Sequence, residues 1–103
     1  MIGFVSAWEQ NRSAEIGYVI QPPFQQQGLA TEVLFVVAGY AFAEYNFRKL
    51  RLLIDADNLA SIRVAEKVGF LREGCLRGHV RKASQWIDEL HYGLFIDELV
   101  DSI

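Results

Sequence analysis

A short polar stretch, Gln25–Ala30 (QQQGLA), has the residue types of a phosphate-binding turn. It follows Pro22 and Pro23, and it precedes a segment that is predicted to be a long amphipathic helix from about Thr31. The first backbone N–H groups of a helix have no partner inside the helix, and the helix dipole adds partial positive charge at the same place. The stretch therefore predicts a site for a diphosphate, and the alternative is an ordinary helix start after a turn.

A second stretch, Asn58–Phe70 (NLASIRVAEKVGF), begins with a residue suited to cap a helix and ends with a glycine suited to terminate it. This stretch resembles the N-x-x-S-x-x-v-x-e-k-x-G-F run of the RimJ/RimL-like branch of the GNAT superfamily of N-acetyltransferases. The first stretch resembles the Q/R-x-x-G-x-G/A acyl-CoA signature of the same superfamily, with Gln25, Gly28 and Ala30 in the specified positions. Many members have Gly where this chain has Gln26, which leaves the turn less free to adopt a positive φ.

The resemblance implies acetyl-CoA as cosubstrate, with no metal, and an amine acceptor. The acetyl group would pass to a primary amine, of a protein N-terminus or of a small molecule, by direct attack in a ternary complex. Backbone N–H groups of the signature would bind the diphosphate, and the backbone at Val19 and Ile20 would pair with the pantetheine arm. Asn58 would cap its helix, bind the pantetheine amides, or do both. The implied cofactor-binding residues are Val19, Ile20, Gln25, Gln27, Gly28, Leu29, Ala30 and Asn58.

Two side chains are implied to be catalytic, Glu15 and Ser61. Glu15 lies in an Ala-Glu-Ile segment where related acetyltransferases often have a glutamate that acts as base, although a solvent-facing strand residue is an equal alternative. Many members use a tyrosine four residues before the Gly-Phe pair as the acid, and that position here is Ala65. Ser61 is the RimJ/RimL-like alternative. It would hydrogen-bond the departing sulfur, or it would only satisfy the backbone of its own helical turn.

Two helices and five strands are predicted to position these residues. The first two strands form an antiparallel hairpin, a helix then leads to a parallel strand, and a second helix precedes an antiparallel pair. The predicted elements are Met1–Glu9, Ala14–Ile20, helix Thr31–Tyr45, Leu50–Asp55, helix Asn58–Gly69, Phe70–Arg81 and Trp86–Phe95. This pattern is α/β, and it fits a GNAT-like acyl-CoA N-acyltransferase mixed sheet.

Apolar residues at helical spacing are predicted to face the sheet. In the first helix these are Val33, Leu34, Val37, Ala38, Ala41, Phe42 and Tyr45, and in the second they are Leu59, Ile62, Ala65 and Val68. Gly39 interrupts the first helix at a cost of about 1 kcal/mol relative to alanine.

Composition narrows the class of protein. The 103 residues, of which 51% are apolar and 22% charged, predict one globular domain over residues 1–103. The net charge of −3 argues against a general nucleic-acid-binding role. The single cysteine, Cys75, excludes an intrachain disulfide, argues against structural zinc, and is expected to be a small buried residue. No apolar run is expected to span a membrane, so the prediction is a cytoplasmic protein without a membrane partner.

A complete GNAT domain has a strand, two helices and another strand before the hairpin with which this sequence starts. The resemblance therefore implies an N-terminally truncated form, or a second subunit that covers the same part of the sheet. An exposed strand edge at Met1–Glu9 would pair with another chain, which predicts a homodimer. The competing hypothesis for function is a truncated, non-catalytic CoA-binding or dimer-forming module.

Overall fold

A single mixed β-sheet organises the molecule. The computed structural model describes residues 2–8, 11–18 and 27–102. In this part of the chain the strands are β1 (Ile2–Trp8), β2 (Ser13–Tyr18), β3 (Lys49–Asp55), β4 (Leu71–Lys82) and β5 (Gln85–Phe95). They lie in the order β1-β2-β3-β5-β4. The β1–β2 and β4–β5 pairs are antiparallel and the β2–β3 pair is parallel, which confirms the three predicted pairings.

Two α-helices connect these strands, α1 (Gln27–Tyr45) and α2 (Leu59–Val68). Helix α1 begins about one turn earlier than the predicted start near Thr31. Gln, Leu and Ala are good helix formers, and the nearest prolines lie upstream of the stretch. Residues 27–30 are therefore the first turn of α1 itself and not a turn that precedes it.

Both helices pack on the same face of the sheet. Alternate strand residues point to this face because side chains in a strand alternate between faces. The resulting core contains Leu34, Ala38, Ala41 and Phe42 of α1, Val64, Ala65 and Val68 of α2, and Ala14, Ile16, Leu50, Leu52, Ile54, Leu90, Tyr92 and Leu94 of the sheet. The predicted inward positions of α2 were wrong for Leu59, whose side chain is 58% exposed, while Ser61 is buried instead. In α1, Val33 and Tyr45 are exposed rather than inward.

Helix α2 is closed at both ends by its own residues, as predicted. Asn58 is the N-cap, and its side-chain oxygen accepts a hydrogen bond from the Ser61 N–H at 3.2 Å. Gly69 ends the helix in the left-handed conformation, with φ 119°, and its N–H donates to the Ala65 and Glu66 carbonyls. A side-chain contact adds to this: the Tyr92 hydroxyl donates to Glu66 and accepts from Arg72, and the latter bond raises the pKa of the Arg72 guanidinium.

Helix α1 is apolar on nearly all sides, so the prediction of an amphipathic helix was wrong. Its segment Gly28–Tyr45 has a mean hydropathy of 1.2. By length and composition alone, this segment is long and apolar enough to cross a membrane. This finding corrects the expectation that no apolar run reaches that length. The buried Leu34, Ala38, Ala41 and Phe42 show that one side of the helix belongs to the core of the domain.

The sheet face opposite the helices carries several charged side chains. Glu15 lies 3.9 Å from Arg51 and Lys49 lies 2.8 Å from Glu73, in each case between a carboxylate oxygen and a side-chain nitrogen. Glu73 lies over Gly93, where a Cβ atom would collide with the Glu73 carboxylate. The charges on this face are therefore arranged in close pairs, and one pair includes the predicted base Glu15.

Candidate active site

The parallel strands β2 and β3 separate at their carboxyl ends. Among the described residues, their ladder joins only three pairs, Ser13–Lys49, Ala14–Leu50 and Glu15–Arg51. Beyond these pairs β2 continues to Tyr18 and β3 continues to Asp55. Ligands of open α/β sheets bind where neighbouring strands part at their carboxyl ends, so this gap is the natural candidate site.

A cleft of about 210 Å³ lies at this gap. It brings together three residues that the sequence singled out, Glu15, Asn58 and Ser61, although they come from one strand and from the start of a helix more than 40 residues later. The remaining lining residues are Ile16, Gly17, Leu53, Ile54 and Asp55. Two carboxylate residues, one amide residue and one hydroxyl residue thus line the same cleft.

Glu15 occupies the last paired position before the strands separate. Its side chain is 17% exposed, and its Oε1 atom lies 3.9 Å from Nη2 of Arg51, directly across the ladder. Ala14 and Ile16, on either side in the chain, point into the core. Alternation along β2 therefore directs the carboxylate to the polar face at the edge of the cleft, where it can accept a proton.

Ser61 and Asn58 enter the cleft from the first turn of α2. Ser61 is buried, one helical turn before the fully buried Ala65. Ser61 lies on the same side of the helix as Ala65, which faces the core, and Ser61 lines the cleft. The Asn58 cap uses the side-chain oxygen only, which leaves the amide –NH2 as the donor half of the same group. Both alternatives predicted for Asn58 are chemically compatible with this geometry.

The first turn of α1 presents the backbone predicted to bind phosphate. Gly28 and Leu29 are exposed, Ala30 is half-buried, and the first turn contains no acidic residue. A Cβ added to Gly28 would meet no atom within 4 Å, so the space beside this turn is open. Gln27 is the first residue of the helix, whereas Val19, Ile20 and Gln25 lie outside the residues that the structure describes.

Sequence inspection missed two polar residues of this region, Arg51 and Asp55. Both alternate with the buried Leu50, Leu52 and Ile54 of β3. The period-2 pattern of this strand, combined with its predicted parallel pairing to β2, was a signal that could have placed them near Glu15. Cys75 was predicted to be buried and is exposed, because β4 lies at the edge of the sheet and is covered on few sides.

No group of three or more His, Cys, Asp or Glu residues in the described ranges could hold a metal ion. The cleft itself offers carboxylate, amide, hydroxyl and backbone groups. Those groups can bind an extended ligand between two strands and move a proton at Glu15.

An acyl-CoA N-acyltransferase fold combines the features described above. These are the mixed sheet, the separation of β2 from β3 and the start of α1. A profile of the acetyltransferase (GNAT) domain matches residues 1–71, which is more than half of the chain. The chain therefore belongs to the GNAT acetyltransferase family.

Individual proteins show the same relationship. The chain is 33% identical over 84 residues to the uncharacterised N-acetyltransferase YnaD of Bacillus subtilis, in a match that covers 82% of this chain and 49% of that protein. A crystal structure of a probable acetyltransferase superposes with a TM-score of 0.87 at 32% identity, covering 95% of this chain and 56% of the other. The chain spans about half the length of the relatives that it matches.

A structure with bound ligands also has this fold. The spermidine N-acetyltransferase of Vibrio cholerae, in complex with CoA and spermine, superposes with a TM-score of 0.84 at 23% identity. The match covers 92% of this chain and 56% of that protein. At this level of identity the likeness shows the fold alone.

Proposed function

We propose that this chain is an acetyl-CoA-dependent N-acetyltransferase domain over residues 1–103, of the RimJ/RimL-like branch, acting on a primary amine. The acceptor is a protein N-terminus or a small-molecule amine. The observation that carries the proposal is the convergence of Glu15, Asn58 and Ser61 on one cleft at the gap between β2 and β3. A domain built only for structure has no need of a carboxylate, an amide and a hydroxyl at such a gap.

The residues present fit a CoA ligand. The first turn of α1 offers the N–H groups of Gln27, Gly28, Leu29 and Ala30 to a diphosphate, with no acidic side chain in the way. The separated edge of β2, with Val19 and Ile20 next in the chain, offers backbone groups to the pantetheine arm, and Gln25 completes the signature. Asn58 binds a pantetheine amide through its –NH2 group. When bound, acetyl-CoA supplies an acetyl group activated as a thioester.

Glu15 and Ser61 have different roles in the reaction, as proton acceptor and as hydrogen-bond donor. An amine acceptor is an ammonium ion near neutral pH and cannot attack until it loses a proton, and the Glu15 carboxylate accepts this proton directly or through water. Arg51, opposite Glu15 on β3, holds the carboxylate at the edge of the cleft. The Ser61 hydroxyl, which also lines the cleft, donates a hydrogen bond to the sulfur of the departing thiol. We further propose that the protein works in the cytoplasm as a homodimer.

A second candidate is a non-catalytic CoA-binding or dimer-forming module. The observation that favours it is Ala65. This fully buried residue stands at the position where many family members have a tyrosine that acts as the general acid. This alternative shares the CoA site with the enzyme and differs in turnover.

One experiment separates the two functions. CoA affinity is measured by calorimetric titration, and thiol release from acetyl-CoA is measured over a panel of amines that includes polyamines and peptide N-termini. The enzyme hypothesis predicts amine-dependent thiol release that the Glu15→Gln variant lowers about 10²- to 10⁴-fold while CoA affinity stays unchanged. CoA binding without thiol release above background for any amine supports the module instead.

A matched pair of variants tests the phosphate site. Gly28→Glu and Leu59→Glu each place a carboxylate at an exposed position in the first turn of a helix. Both changes favour the helix dipole, so neither lowers stability. Only Gly28→Glu sets a negative charge against the bound diphosphate, and it lowers CoA affinity roughly tenfold or more. Equal affinity for the two variants places the diphosphate elsewhere.

A further inference from the structure

The side of α1 that points away from the core is apolar. We call it the outer face of α1 and define it by Leu29, Val33, Val36, Tyr40 and Ala43, all of which are exposed. Val36 is 64% exposed and Tyr40 is 54% exposed. Exposed helix faces of globular proteins normally carry polar and charged residues, so this face requires an explanation beyond the fold of one chain.

The spacing of the outer face is that of a helix-pairing seam. Its residues recur at intervals of four, three, four and three, which is the a/d pattern of a heptad. At 100° per residue this seam lies opposite Leu34, Ala38 and Ala41, which pack into the core. Helix α1 therefore has two apolar sides, and only one of them is used inside the domain.

We propose that the outer face of α1 binds the outer face of α1 in a second copy of this chain, with the two helices antiparallel. The proposal names the surface for the homodimer put forward above, and it does not depend on catalysis. A two-fold dimer requires a self-complementary patch, and a heptad seam of Leu, Val, Val and Tyr on one helix meets that requirement. Val33 of each copy then lies in the same layer as Val36 of the other.

The charges of α1 favour the antiparallel arrangement. Glu32 and Glu44 are the only ionisable acids or bases between residues 27 and 45, apart from the tyrosines. Parallel pairing would set Glu32 level with Glu32 and Glu44 level with Glu44 of the other copy, whereas antiparallel pairing staggers these like charges along the helix axis. Antiparallel pairing in this register also places the two proposed diphosphate sites about 20 Å apart along the helix axis, whereas parallel pairing would set them side by side.

The size and residue types of the face suit a specific contact. Two such helices bury on the order of 500 Å² from each copy, which reaches the roughly 1,000 Å² at which specific interfaces begin. Tyr40 is held against Tyr45, with ring centroids 5.8 Å apart in an edge-on arrangement. A tyrosine restrained in this way loses little freedom on binding, and tyrosine is enriched at the centres of interfaces.

The first test compares Val36→Lys with Ile96→Lys in the full chain. The two wild-type side chains are both β-branched and 64% and 62% exposed, and only Val36 lies on the outer face. Light scattering coupled to gel filtration, over a range of protein concentrations, should show a dimer for the wild type and for Ile96→Lys. Val36→Lys should be monomeric but still folded, with a Tm that no longer depends on protein concentration, because the position is exposed and Lys is at least as good a helix former as Val.

Three outcomes overturn the proposal. One is a wild type that stays monomeric at every concentration, and another is a Val36→Lys protein that still dimerises, which places the contact at another surface such as the edge of β1. The third is co-sedimentation of the wild type, but not of Val36→Lys, with phosphatidylcholine or phosphatidylglycerol vesicles, which makes a membrane the occupant. Calorimetric titration of CoA into monomeric Val36→Lys keeps this test separate from the proposed function, since Val36 is outside the CoA site and binding is expected to persist.

A cross-linking test determines the orientation of the two helices. Val33→Cys and Val36→Cys are made separately in a Cys75→Ser background and oxidised alone and as a mixture. Antiparallel pairing predicts a covalent dimer mainly in the mixture, because residue 33 then faces residue 36 of the other copy. Cross-linking of each variant alone indicates parallel helices and contradicts the proposed arrangement.

Discussion

The two helices pack on the same face of one sheet and contact each other, yet their sequences equip them for different tasks. Helix α2 is amphipathic, is capped by Asn58 and Gly69, and is tied to the sheet through Glu66 and Tyr92. Helix α1 is apolar on two sides and begins at an open first turn. The difference indicates that α2 is completed within the domain and holds two cleft residues in place, whereas α1 carries the surfaces that we propose to meet other molecules.

The largest effect that would sharpen this comparison is expected at the end of α2. Gly69 has φ 119°, and a Cβ atom there would collide with the backbone oxygen of Glu98, while Val100 N–H donates to the Val68 carbonyl close by. Gly69→Ala should therefore lower the free energy of unfolding by about 3 kcal/mol or more. Urea denaturation measures this loss. A loss of less than about 1 kcal/mol, which is the range of ordinary helix propensities, would mean that the chain around residue 98 moves aside easily.

A smaller effect is expected at the start of the same helix. Asn58→Ala removes the cap of α2 and should lower the free energy of unfolding by about 1 kcal/mol. Asn58→Asp is the matched control, because a carboxylate caps as well as an amide but lacks the –NH2 donor. Denaturation should show wild-type stability for Asn58→Asp, and calorimetry should show weaker CoA binding. Unchanged CoA affinity would restrict Asn58 to its structural role.

The smallest effect, and one of opposite sign, is expected in the middle of α1. A Cβ added to Gly39 would meet no atom within 4 Å. Gly39→Ala should therefore raise the free energy of unfolding by about 0.5–1 kcal/mol, because alanine loses less backbone entropy in a helix than glycine does. Thermal denaturation tests the sign. A loss of stability would show that another surface approaches α1 at position 39, and it would weaken the contrast between the two helices.

Features that depend on neighbouring residues were predictable from the sequence. The cap and the terminator of α2 follow from Asn58 and Gly69, whose side-chain chemistry acts within a turn or two of the chain. The hairpins and the parallel β2–β3 pair follow from short turns and from one intervening helix. Only the resemblance to a family implied that Glu15 and Ser61 line the same cleft. The residues next to each of them in the sequence give no sign of the other.

Features that depend on packing were predicted less well. Helical spacing marked Leu59 as inward, but α2 lies on the sheet through Ser61, Val64, Ala65 and Val68, so Leu59 faces solvent. Cys75 has the chemistry of a buried residue, yet its strand is at an edge. The pairing of Glu15 with Arg51 required the register between two strands that are 36 residues apart, which periodicity does not specify.

By itself, the sequence determined the order and type of the elements and the caps of α2, and it predicted a phosphate-binding stretch, since all of these rest on backbone chemistry over a few residues. Only the tertiary structure decided which side of each helix is buried, where β2 and β3 part, and which cation stands opposite Glu15. Those outcomes depend on how distant segments share one limited core, and the outer face of α1 became visible only after the other side of the same helix had been placed inside it.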